Sequence, residues 1–164
     1  MKLIQEKAIE AASTRLSEAD EDQLQKIMDV FSEQQPYLLE YLLSVDGDVL
    51  NEDEQETVLF LGIIVWLAFQ NEGQQISLVQ NETLDKIELQ NEQMIDFLAE
   101  EDEDAISASL SMILDNHPQP YLLGFIINSC LAEEDEELNE NNMIMFIDLK
   151  IFLECLQEHC IKEN

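Results

Sequence analysis

The side chains able to do chemistry in this chain are few in kind. There are two histidines, His117 and His159, and three cysteines, Cys130, Cys155 and Cys160. Any imidazole base working near neutral pH must be one of those two histidines. Cys155 and His159 stand four apart, so a helix would carry both on one face, with Cys160 beside them, and this is half of a zinc site. The remaining ligands of those types, His117 and Cys130, lie far off in sequence, so the thiols read more simply as small buried residues. Glu154 and Glu158 fall five and one residues before His159, where a di-iron helix bundle needs Glu three before His. Asp46-Gly47-Asp48 begins like a calcium loop, but the position that must be Gly is Asn51 and the bidentate Glu is replaced by Thr57. No glycine-rich phosphate cradle occurs. The expectation is therefore a non-enzyme without cofactor or bound metal, and a metal-dependent enzyme stands third among the readings.

Carboxylates dominate instead. There are 37 acidic residues against 7 basic ones, a formal net charge of −30. Phosphate backbones and anionic lipid surfaces repel such a chain, so neither nucleic acid nor membrane is expected as a direct partner. A basic protein or peptide is. More than half of the acids fall in four clusters: Glu18 with Asp20, Glu21 and Asp22; Asp46 and Asp48 with Glu52, Asp53, Glu54 and Glu56; Glu100 and Glu101 with Asp102, Glu103 and Asp104; and Glu133, Glu134, Asp135, Glu136 and Glu137 with Glu140. One or two carboxylates suit a helix N-terminus, through capping and the helix dipole. Four to six exceed that need, and like charges repel. The excess suggests a docking rim for a basic partner, with Asp20, Glu21, Asp22, Asp53, Glu54, Asp102, Glu103, Asp104, Glu134, Asp135 and Glu136 as its core. The alternative function is a DNA mimic, whose carboxylates stand in for phosphates and occupy a DNA-binding protein. A mimic would spread them evenly along an elongated face.

These residues need elements to hold them. Only 4 Gly and 3 Pro interrupt 164 residues, and 46% are hydrophobic, which favours an all-helical domain over the whole length, 1–164. Periodicity gives about eight helices. The first runs from about Lys2 to Leu16, and Ser17 caps a second with stripe Leu24, Ile27, Met28 and Phe31. Pro36 opens a third, Asn51 caps a fourth and Asn81 a fifth, which carries Leu84, Ile87, Met94, Phe97 and Leu98. A sixth covers Asp102 to Leu114, Pro120 opens a seventh, and the eighth runs from about Asn139 to Ile161. The fourth contains a 12-residue apolar run, Val58 to Phe69, which is too short for a membrane span and reads as a buried core helix.

The chain also repeats itself. Gln35-Pro36-Tyr37-Leu38-Leu39 recurs 84 residues on as Gln119-Pro120-Tyr121-Leu122-Leu123. Tyr41-Leu42-Leu43 and Phe125-Ile126-Ile127 follow in register, and each copy has an acidic triplet before it. The reading is two tandem copies of a four-helix unit, about 1–70 and 80–164, sharing one core. In general design this resembles an α-solenoid of HEAT-like helix pairs, or a bundle; no signature of a named repeat family is present. Trp66 has no aromatic counterpart, since the same shift lands on Lys150. Tyr37 and Tyr121, each following a proline, suggest a groove between the copies. If successive helices pack antiparallel, all four acidic clusters gather at one end. The N-terminus lacks an apolar signal core and the odd cysteine count is no disulfide framework, so the cytoplasm is the expected location. The function expected is a non-catalytic interaction module.

Overall fold

Two helices in this chain are apolar on nearly every side, and the remaining elements are arranged to cover them. The computed structural model describes residues 1–131 and 139–162. Among those residues it contains eight helices: α1 (Glu6–Ser17), α2 (Glu21–Gln34), α3 (Pro36–Ser44), α4 (Glu52–Asn71), α5 (Asn81–Glu100), α6 (Glu103–Asn116), α7 (Pro120–Leu131) and α8 (Glu140–Glu158). The protein is all-helical, and the one pairing of extended backbone among the described residues is an isolated bridge between Ile76 and Cys160. None of the described helices is long and apolar enough to cross a membrane.

The apolar pair is α4 and α8. Leu61 to Phe69 of α4 are buried without interruption, as are Met145 to Leu153 of α8. A helix buried all round needs neighbours on every side. α4 is flanked by α1, α3 and α8, and α8 by α4, α5 and α7. α2 packs on α3 and α6 on α7, at the periphery. Phe31 of α2 ties the layers together, its ring 4.8 Å from that of Trp66 and 6.3 Å from that of Phe152. Gly62 lets α3 close on α4, because a Cβ there would stand 2.6 Å from a methyl of the buried Leu42.

The expectation that successive helices are neighbours holds for α2–α3, α3–α4, α6–α7 and α7–α8. It fails for α1 and α5, whose main partners are α4 and α8. The reason is burial: an amphipathic helix gains more against an all-apolar helix than against another amphipathic one. Asn71 near the C-terminus of α4 bonds the Ala8 carbonyl at 3.1 Å, so α1 runs antiparallel to α4. Thr83–His159, Lys86–Glu158 and Asn91–Glu154 pairs set α5 antiparallel to α8. Asn141 reaches Glu54 at 3.0 Å, which brings the N-termini of α4 and α8 side by side and makes the central pair parallel.

Helix starts correct two details. Ser17 does not cap α2; its hydroxyl bonds back to the Ser13 carbonyl and closes α1. The cap is Asp20, in a reciprocal box with Gln23. Asn81 is the first residue of α5 rather than its cap. Asn51 caps α4 as expected, and Asp102 and Asn139, expected as the first residues of their helices, are the caps of α6 and α8.

Two exchanged clamps hold the segments that lead into α1 and α5. Gln35 is buried and accepts from the Val79 N–H at 3.0 Å while donating to the Ser77 carbonyl at 2.9 Å. Gln119 is buried and does the same to the Ile4 N–H and the Lys2 carbonyl, both at 2.8 Å. Each glutamine saturates two backbone groups that burial would otherwise strand. The glutamine of the first Gln-Pro-Tyr-Leu-Leu motif thus secures the lead into α5, and that of the second secures the lead into α1.

Candidate functional site

The acids named from sequence divide by what they do locally. Asp20 accepts from the Gln23 N–H, Glu54 accepts from the Asn51 N–H, and Asp102 accepts from the Ala105 N–H, at 2.8, 2.9 and 2.8 Å. These three are capping residues, and their bonds account for their presence. Glu21, Asp22, Asp53, Glu103 and Asp104 are exposed in the first turns of α2, α4 and α6. Glu134, Asp135 and Glu136 lie outside the described residues. The directions of α1, α4, α5 and α8 place the N-termini of α2, α4, α6 and α8 toward one end. Tyr37 and Tyr121 sit at the start of α3 and α7, 37% and 40% exposed.

Beside the acidic end the surface opens into an apolar groove of about 590 Å³ between the end of α1, α2 and the first half of α4. Leu16, Leu24, Met28, Leu59, Phe60 and Ile63 wall it, and Asp53 and Glu56 edge it. Leu24 and Phe60 are 42% and 40% exposed, in positions where an amphipathic helix ordinarily buries its large residues. The sequence stripe of α2 places Leu24 inward; in the structure it lines this groove instead. Phe97 of α5, also placed inward by its period, is 45% exposed.

A second cluster was not visible as a unit in the sequence. Lys150, only 8% exposed on α8, donates to the side-chain amide oxygen of Asn91 at 2.8 Å and to Glu154 one turn on. Asn91 in turn donates to Glu154 at 2.8 Å and to the Ile87 carbonyl. His117 faces the same carboxylate, its Nε2 3.9 Å from Glu154, beyond hydrogen-bond reach. Its Nδ1 accepts from the Gln119 N–H at 3.1 Å. Burial holds this imidazole below its usual range, against the pull of Glu154. The signal in sequence was the lysine itself, a charge in the apolar run of α8 where the shifted position carries Trp66.

Asp148, two residues before, is also buried. Burial first, then bonding and repulsion from Asp46 and repulsion from Glu88, push its carboxyl up to about 9, so it is protonated at neutral pH. The Tyr41 hydroxyl donates to the backbone carbonyl of Asp148 at 3.3 Å. The three thiols are unpaired and buried, and Cys130 and Cys155 are pushed up to about 12, chiefly by burial. His159 is held by Ser77 and Thr83 at 3.1 and 2.9 Å. Among the described residues no three metal-binding side chains converge. Comparison of the chain with family models, with curated proteins and with solved structures gave no match.

Proposed function

We propose that this protein is a non-catalytic docking module whose groove between α1, α2 and α4 receives a cationic amphipathic segment of a partner protein. The observation that carries this reading is the conjunction in one place of exposed Leu24 and Phe60 with Asp53 and Glu56. An apolar trough edged by carboxylates matches a helix with an apolar stripe and flanking Lys or Arg. The wider net charge of −30 would speed encounter with such a segment. A DNA mimic is the second function considered, but acids gathered toward one end support it less than a face of evenly spaced charge would.

The architecture proposed behind this is a duplication, with units of about 1–70 and 80–164. It is supported by matching packing partners: α1 and α3 on α4 with α2 on α3, and α5 and α7 on α8 with α6 on α7. The reciprocal clamps of Gln35 and Gln119 support it independently. A HEAT-like stack is a less apt description of this proposal than two units turned about the parallel α4–α8 pair. Unpaired, buried thiols fit the reducing cytoplasm proposed as its location.

The test is a binding titration of a fluorescent amphipathic peptide rich in Leu and Lys, at low and high salt. Binding should weaken with salt, and Asp53→Lys with Glu56→Lys should weaken it at least tenfold. Binding indifferent to salt and to both reversals would remove the reading.

A further inference from the structure

A second pocket, of about 350 Å³, opens away from the acidic end, between α5, the turn before α7 and the last turns of α8. Its walls include Asn91, His117, Lys150, Glu154 and Gln157. Two of its polar atoms are buried and without a partner: Nε2 of His117 and Nε2 of Gln157. The His117 side chain is 94% buried, since only 6% of it meets solvent. Its Nδ1 is occupied as an acceptor by the Gln119 N–H, which places the ring proton of the neutral imidazole on Nε2. Both orphan atoms are therefore donors. Stranded buried donors are costly, and two in one pocket call for an acceptor from outside.

Glu154 supplies the opposite need. Each of its oxygens accepts one bond, from Lys150 and from Asn91, and each keeps a lone pair. Lys150 and Glu154 cancel in charge, so the pocket is locally neutral within a chain of net charge −30. That field repels an anion. We propose that this pocket binds a small neutral molecule presenting a carbonyl oxygen beside an N–H, as carboxamides and nucleobase edges do. The carbonyl accepts from His117 and Gln157, and the N–H donates to Glu154. The volume falls at the small end of ordinary ligand sites, enough for a single ring and its amide.

Nicotinamide and nicotinate make a matched pair of probes, one a neutral amide and the other its anionic isostere. Each is titrated into the isotope-labelled protein while the ring nitrogens of the two histidines are followed by NMR. His159 lies outside the pocket and serves as the internal reference. Nicotinamide should shift the His117 ring saturably in the millimolar range and leave His159 unmoved, and nicotinate should bind at least tenfold more weakly. Gln157→Leu should reduce nicotinamide affinity about tenfold while His117 keeps its tautomer. No shift of His117 with nicotinamide, equal shifts of both histidines, or nicotinate binding as tightly would overturn the proposal. None of these results depends on whether the groove beside α2 binds a peptide.

Discussion

Asp148 and Lys150 stand two apart in α8 and meet burial in opposite ways. Lys150 is matched by the Asn91 side chain and the Glu154 carboxylate, whereas Asp148 gives up its charge by keeping its proton. Its pKa near 9 in the folded protein lies above the ordinary carboxyl value of 3.8, so the folded state holds a proton that the unfolded state releases. Stability is therefore lost as pH rises from about 4 toward 9. Asp148→Asn should stabilise the protein at neutral pH and flatten that decline, which chemical denaturation across the pH range would reveal. His117 acts from the other side: its lowered pKa means the unfolded state binds the extra proton below about 6.5, so stability falls there too. Lys150→Met should cost about 3 kcal/mol by leaving Glu154 and Asn91 short of a donor, and adding Glu154→Gln should recover part of it. In the sequence the lysine stands out only as the residue on which the 84-residue shift from Trp66 lands. Its partner Asn91 was hidden, because that side chain meets Lys150 only through the apposition of α5 with α8.

Helices were legible wherever period and cap agreed. Asn51, Pro36, Pro120 and Asp102 mark the starts of their helices, because these signals act within one turn. Ser17 misled because a serine can close one helix as readily as open the next, and its hydroxyl chose the Ser13 carbonyl. The clamps were invisible for a different reason. Gln35 and Gln119 head a repeated motif, but a glutamine's value here lies in bonds to segments 42 and 115 residues away. Gln35→Leu and Gln119→Leu should each cost about 2–4 kcal/mol, since each strands a buried N–H and weakens a carbonyl bond. Hydrogen exchange should locate the two losses crosswise, Gln35→Leu exposing Val79 and Gln119→Leu exposing Ile4. Asp102→Ala, a plain capping loss, should cost about 1 kcal/mol without changing peptide binding.

Over the whole molecule, charge and apolar surface are laid out unevenly. The sequence placed the acids at helix starts, and the directions of α1, α4, α5 and α8 carry those starts to one end. It did not reveal the groove, because periodicity assigns Leu24 and Phe60 to a helix face without saying whether a neighbour covers it. Asp53→Lys and Glu56→Lys are exposed changes and should shift stability by no more than about 1 kcal/mol, so any large binding loss reports on docking. The most direct measurement is methyl and amide NMR of the full chain during addition of a Leu- and Lys-rich amphipathic peptide. The largest shifts should fall on Leu16, Leu24, Met28, Leu59 and Ile63, fading as salt is raised. Shifts scattered over the acidic residues of all the helix starts, with those groove methyls unmoved, would contradict the account.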